Sequence, residues 1–322
     1  MMGLNIRYSK YREAAVIYNP IAGRLARRHH LLQRITEVLH NVGTRARLIP
    51  TTGPNTAADL TARVIEEGAE LILVAGGDGT INEVANGMVH SHVPLGILPA
   101  GTANVLAHEL KMSGGIHSAL RHLPECISCR ISMGRLRGSD YNRHFLCMAG
   151  VGLDAQIVYD LNTGLKAAIG KFAYYAGGFR QIARPLPQFD IEILGQRRRC
   201  GFVLVSRVRN YGGDLEIARG ASLLRSDFEV LSFEGSTSIG YLRYLAGVVL
   251  GRVDKVKGCS IWRTTSIRFD SPSDHRILTQ IDGELACPLP VRLDIVPEAI
   301  TLLVPPGYFE KERVFQQATV NA

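Results

Sequence analysis

The chain has no stretch of the ~18 to 20 apolar residues that a membrane span requires. Its most apolar late run, Tyr244 to Gly251, is bracketed by Arg243 and Arg252, so any membrane contact is expected to be peripheral. The opening MMGLNIRYSKYREAAVIYN lacks the long apolar core of a signal peptide. The cysteines, at 126, 129, 147, 200, 259 and 287, lack the dense spacing of a disulfide framework, and the expected compartment is the reducing cytosol. Cys126 and Cys129 make one CxxC with no second pair at workable spacing. A zinc site needs four ligands, so they read as two incidental thiols. Internal repeats and low-complexity tracts are absent as well.

What is present is core-forming material. With 322 residues, 46% hydrophobic and 20% charged, the chain can bury a substantial core, which excludes a single-module binding peptide. At ~100 to 200 residues per domain it suggests two domains. A formal charge of +8 favours anionic partners: nucleotide phosphates, acidic membrane surfaces or nucleic acid. The run Arg197, Arg198 and Arg199 reads as a solvated hairpin face rather than a site.

Along the first half, continuous apolar runs at Ala14–Tyr18, Leu71–Ala75 and Val93–Leu98, with a further strand at Ala46–Ile49, alternate with helical patterning. The helices are expected around Leu31–Leu39, Thr56–Glu67, Ile81–Met88 and Val105–Leu110. This alternation predicts an α/β domain with a doubly wound parallel sheet. From about Ile131 short strands take over, at Phe145–Met148, Phe189–Leu194, Phe202–Val208, Phe228–Phe233, Ser266–Phe269 and Leu278–Ile281, and antiparallel sheet is the economical reading. Helices are expected around 164–179 and 238–250, a short linker near 124–136, and a partly disordered tail over 310–322.

The chemistry concentrates after the buried strands. Gly76-Gly77-Asp78-Gly79-Thr80 places glycines where the backbone turns at a strand's carboxyl end, so that N–H groups and a following helix face phosphate oxygens. A carboxylate beside a polyphosphate is repelled by it. Asp78 therefore implies either a bridging Mg²⁺ or a hydroxyl proton taken there, or else it is an ordinary Asp-Gly turn. No GxxxxGKS pattern occurs.

Three segments, Asn19-Pro20-Ile21-Ala22-Gly23, Gly76 through Gly87, and Gly96-Ile97-Leu98-Pro99-Ala100-Gly101-Thr102-Ala103-Asn104, follow in order on successive strand ends. Together they resemble the diacylglycerol kinase catalytic-domain family. Gly150-Val151-Gly152-Leu153-Asp154-Ala155 and Asp282-Gly283-Glu284 extend the resemblance into the second half. It implies a Rossmann-like nucleotide-binding domain over 1–133, rejoined by 300–322, and a β-sandwich lipid-acceptor domain over 134–299, with ATP in the cleft between them. Asn19, Pro20 and Gly23, with Thr51 or Thr52, would hold the nucleotide. Gly76, Gly77, Asp78, Gly79 and Thr80 would face its phosphates, with Asp78 a metal contact through Mg-ATP. Asn82 and Glu83 would open the helix behind that loop and support it. Gly101, Thr102 and Asn104 match the family's nucleotide contacts, and Asn104 equally suits a helix cap. Asp282 or Glu284 would be the base for the lipid hydroxyl, with Asp78 the remaining candidate. ATP with Mg²⁺, a lipid substrate, most readily diacylglycerol, and an anionic membrane surface are the expected partners, and nucleic acid is not.

One departure matters. Bacterial members of the family hold a structural Mg²⁺ on an acidic Asp-Asp-Gly segment after an alanine, whereas here Ala221 is followed by Ser222-Leu223-Leu224-Arg225-Ser226-Asp227. The expectation is a site absent or replaced by a salt bridge. An NAD kinase, which shares the GGDGT loop, is the rival enzyme, disfavoured by Asn-Pro-x-x-Gly and Gly-Thr-Ala-Asn. A non-catalytic lipid or nucleotide sensor would be favoured by loss of Asp78 or Asp282, and both are present.

Overall fold

The computed structural model describes residues 10–27, 30–152, 187–211, 215–236, 244, 247, 252–271 and 276–320. The helices expected around 164–179 and 238–250, and Leu153-Asp154-Ala155, lie essentially outside the described residues. The chain divides into two compact units, residues 1–131 with 298–322, and residues 132–297.

The first unit is built on parallel strands. β1 (Glu13–Tyr18), β2 (Arg45–Pro50), β3 (Leu71–Gly76) and β4 (Pro94–Pro99) stand in the order β2-β1-β3-β4. β3 and β4 are buried at every position, as strands covered on both faces must be, which is why LILVAG and PLGILP read as unbroken apolar runs. α1 (His30–Asn41), α2 (Ala57–Glu66) and α3 (Asp78–Gly87) make the crossovers. After β4 come α4 (Val105–Glu109) and α5 (Ile116–His122). Because β2 lies on one side of β1 and β3 on the other, the connections reverse direction between β1 and β3. Open α/β sheets bind ligands outside the carboxyl ends of the strands at such a reversal.

The second unit is antiparallel. It opens within β5 (Ile127–Arg137) and continues through β6 (Asn142–Phe145) and β7 (Met148–Gly152). The expected linker at 124–136 is thus mostly an eleven-residue strand, paired to β6 from Gly134↔Phe145 onward. β8 (Phe189–Ile193), β9 (Gln196–Cys200), β10 (Phe202–Ser206), the short pair β11 (Asn210–Tyr211) and β12 (Leu215–Glu216), and β13 (Phe228–Phe233) follow. Then come β14 (Cys259–Thr264), β15 (Ser266–Asp270), β16 (Leu278–Ile281), β17 (Glu284–Pro288) and β18 (Val291–Val304). One sheet runs β14-β13-β10-β7-β16-β17, and β9, β8, β15 and the start of β18 form the other. Val151, Val203, Phe228 and Val230 from the first meet Phe189, Ile191, Phe269 and Leu293 from the second in one buried core. That alternate-face packing makes a sandwich.

The end of β18 returns to the first unit, where Thr301 and Leu302 pair in parallel with Pro94 and Leu95 of β4. The tail is helical rather than disordered: α6 spans Pro306–Val320. It is tied down by the buried Tyr308, whose hydroxyl donates to Glu109 Oε1 at 3.0 Å, and Glu312 is fully buried.

Candidate active site

The loops after β1, β2, β3 and β4 carry the predicted nucleotide residues, and the parallel sheet brings them to one edge. Asn19 sits where β1 ends. Its N–H donates to the Ala75 carbonyl on β3 (3.1 Å), and its Oδ1 accepts the Ile21 N–H (3.0 Å), closing a local turn. Pro20 and Gly23 are exposed on that loop, and Thr51 and Thr52 follow β2, the first half-buried and the second exposed. Gly76 ends β3, and its carbonyl accepts the N–H groups of Ala100 (2.9 Å) and Gly101 (3.1 Å). The loops after β3 and β4 are thereby locked together.

The glycines explain how closely. A Cβ on Gly101 would fall 2.5 Å from the Gly77 Cα, so a side chain there would have to push two backbones apart. Gly77 is extended (φ −92°, ψ −177°), and helix α3 starts at once behind it with no side chain capping its N-terminus. The first N–H groups of a helix have no intrahelical acceptor, and they carry the positive end of its dipole. Asp78, Gly79 and Thr80 therefore present main-chain donors between two glycine-lined strand ends, a fit for phosphate oxygens.

Several assignments change here. Asp78 is the half-buried first residue of α3 rather than part of a turn ahead of a helix at Ile81, and its Oδ1 accepts the Val105 N–H at 2.7 Å. It therefore caps α4, the role weighed for Asn104. Asn104 stands at the N-cap position in the left-handed region (φ +49°) but makes no cap bond. Its amide instead clasps its own loop, accepting the Gly101 N–H (2.9 Å) and donating to the Gly101 carbonyl (2.8 Å). Nor do Asn82 and Glu83 open α3; they lie in its second turn because the helix begins at Asp78. Asn82 is buried and accepts from Asn86. Glu83 supports the neighbouring helix, accepting the N–H groups of Asn55 (2.9 Å) and Ala57 (3.0 Å) at the start of α2. Thr102 is exposed after β4. Arg24, which no motif singled out, joins this edge: its N–H donates to the Ala100 carbonyl (3.2 Å), and its guanidinium lies beside Gly115.

In the second unit the two candidate carboxylates differ. Asp282 turns the β16–β17 hairpin in the left-handed region (φ +48°), followed by Gly283 at φ +82°. Its Oδ2 accepts the Leu146 N–H (2.8 Å), and its Oδ1 accepts those of Cys147 (2.8 Å) and Met148 (2.9 Å), while its own N–H donates to the Met148 carbonyl (2.9 Å). Both oxygens are committed to backbone donors. Glu284, which starts β17, has a side chain 41% exposed, and its Oε2 pairs with Arg143 Nη1 at 3.0 Å. Glu284 thus keeps its carboxylate partly open to solvent, whereas Asp282 is held by three main-chain donors.

The departure after Ala221 has a physical counterpart. Arg225 Nη2 lies 2.7 Å from Asp227 Oδ2, and Arg263 Nη1 lies 3.2 Å from Asp227 Oδ1. Arg263 also binds Glu229 Oε2 (3.1 Å) and the Gly220 carbonyl, and Gly220 N–H donates to Glu229 Oε1 (3.1 Å). Two guanidinium groups thus stand on the one nearby acid of that segment, the salt-bridge outcome expected from Arg225. Burial pushes the Asp227 carboxyl up, but Arg225 and Arg263 outweigh it and hold it below the usual carboxylate range. Burial pushes Glu229 up, against Gly220 and Arg263.

Mg²⁺ added without nucleotide should therefore leave the thermal midpoint unmoved. A midpoint that climbs with Mg²⁺ alone would show a metal held in this unit. Asp227 contributes stability that is present above the unfolded value near ~3.9 and is lost as pH falls through its lower folded value. Glu229 acts with the opposite sign, since its raised value makes protonation favour the folded form. Urea midpoints recorded between neutral and strongly acid pH should fall less steeply below about pH 4 in Asp227→Asn than in the wild type.

Comparison with known proteins agrees with both halves. Residues 13–136 match the diacylglycerol kinase catalytic domain, and residues 147–304 match the YegS C-terminal NAD kinase beta sandwich-like domain. The chain is 31% identical over 315 residues to a diacylglycerol kinase of Staphylococcus saprophyticus, covering 95% of this chain and 99% of that protein. It is 27% identical over 288 residues to one of Bacillus subtilis, covering 87% and 92%. The crystal structure of a diacylglycerol kinase from Bacillus anthracis superposes with a TM-score of 0.68 at 18% identity, covering 93% of this chain and 99% of that one, and so shares the fold. With a relative 31% identical across 95% of its length, the chain belongs to the diacylglycerol kinase family and is similar throughout to its lipid kinases.

Proposed function

We propose that this protein transfers the γ-phosphate of ATP to the free hydroxyl of diacylglycerol. The observation that carries the reading is the uncapped start of α3, at the end of the strand that borders the sheet's point of reversal and with Gly77 against Gly101 of the next loop, in a chain matched end to end by proteins named diacylglycerol kinase.

The main-chain donors at Asp78, Gly79 and Thr80 receive the phosphates, which the glycines Gly76, Gly77 and Gly101 let approach the backbone. Asn19, with Thr51 or Thr52, and Thr102 border the nucleotide on the same edge. Mg²⁺ carried with the nucleotide would spread the charge that develops on the transferred group, and Asp78 would be the carboxylate to hold it. Glu284 takes the proton of the acceptor hydroxyl, and Arg143 orients it. Asp282 holds the hairpin that carries Glu284.

Incubation with labelled ATP and a panel of diacylglycerol, monoacylglycerol, sphingosine, ceramide, phosphatidylglycerol and NAD tests the acceptor. Diacylglycerol should be phosphorylated fastest. Preference for another lipid would move the assignment within the family, labelled NAD would favour the NAD kinase reading, and binding of ATP with no labelled acceptor would favour a sensor.

A further inference from the structure

We propose that a cavity in the second unit, separate from Asp282 and Glu284, binds the phosphate headgroup of an anionic phospholipid. The cavity has a volume of about 530 Å³, within the ~300 to 1,000 Å³ usual for small-molecule sites. Its walls combine three cations, Arg219, Arg252 and Lys255, with three apolar side chains, Ile217, Val253 and Ile261.

The charge balance favours an anion. Glu229 also lines the cavity, but one of its oxygens is taken by Gly220 N–H and the other by Arg263. Among the described lining residues Glu216 is the remaining acid, and it is exposed. Arg219, Arg252 and Lys255 are exposed and make no ion pair among the described residues. Three cations against one exposed acid, among the described lining residues, would be redundant for a neutral ligand.

The apolar half separates a lipid from a free anion. Ile261, on the edge strand β14, is 45% exposed, although β-branched apolar residues are usually buried. An apolar residue kept at the mouth of a cationic pocket suits a molecule whose phosphate enters while its acyl region stays outside. A small inorganic anion would leave Ile261 with nothing to cover it.

Co-sedimentation with vesicles tests this without reading turnover, so its failure does not bear on the kinase assignment. Wild-type protein should pellet with phosphatidylcholine vesicles containing phosphatidate and remain in solution with phosphatidylcholine alone. Arg219→Gln with Arg252→Gln and Lys255→Gln should weaken the partition about 100-fold, from the typical contribution of each basic residue at an anionic surface. The substituted side chains are exposed, so the fold should survive, and far-UV circular dichroism checks it. Ile261→Ser, which keeps every charge, should weaken it several-fold. Arg197→Gln with Arg199→Gln, on β9 away from the cavity, should leave it unchanged. The proposal is overturned if the triple variant pellets like wild type, or if the β9 variant loses as much. It is overturned equally if inorganic phosphate binds, by ³¹P line broadening lost in the triple variant, while vesicles do not.

Discussion

Asp78→Asn should lower phosphoryl transfer by ~10²- to 10³-fold, the range for removing one electrostatic contact from a reacting site, with the thermal midpoint almost unmoved. The asparagine keeps an oxygen for the Val105 N–H, so the start of α4 stays capped while the charge is lost. Asp78→Ala removes both. It should match the loss of turnover and add a destabilisation of about 1 kcal/mol, typical of a missing helix cap. Turnover and urea unfolding of the two variants, measured side by side, separate the charge from the cap. An asparagine variant that turns over like wild type would remove Asp78 from the phosphate site and leave it a structural residue.

In the second unit the expected ranking is Glu284 over Asp282 for chemistry and the reverse for stability. Glu284→Gln should cut lipid phosphorylation by ~10²- to 10⁴-fold, as loss of a general base does, while ATP affinity holds. Its pair with Arg143 is partly exposed, so stability should change by under ~1 kcal/mol. Asp282→Asn places an amide donor against one of three backbone N–H groups and should cost about 1 to 3 kcal/mol. Asp282→Ala should cost more, since all three donors then lack their acceptor. If Asp282→Asn instead folds as well as wild type and loses more turnover than Glu284→Gln, the base is Asp282 and the hydrogen-bonded hairpin is incidental.

The same carboxylate shows where local reading of the chain fails. The buried runs of β1, β3 and β4 announce themselves because burial on both faces demands apolar residues at every position, and each was legible to within a residue or so. A single strand over Phe145–Met148 was expected from its apolar pattern. The chain instead breaks between β6 and β7 at Leu146 and Cys147, because their N–H groups turn to Asp282, far along the sequence. Nothing within that segment reports a partner so distant. Helix α6 was missed for a similar reason: its polar tail is held by Tyr308 on Glu109 rather than by its own patterning.

The candidate site divides along the same line. The glycine turn is readable because a close backbone approach restricts residue type, and Gly101 is a glycine on steric grounds, since a Cβ there would fall 2.5 Å from the Gly77 Cα. The roles of Asp78, Asn104, Glu83 and Asp282 are not, since each depends on which main-chain donor the fold brings to its side chain. Arg225 was the exception. A cation in place of an acid carries its own sign, and the structure sets it on Asp227.

The parallel sheet of the first unit is completed by the end of β18, which joins β4 after the whole second unit has been traversed. On a ribosome adding ~5 to 20 residues per second, the roughly 200 intervening residues delay that strand by about 10 to 40 seconds. During that interval β4 presents an open apolar edge, the kind of surface that nascent chains pair wrongly or hand to chaperones. Synthesis order thus leaves the parallel sheet of the first unit waiting on β18.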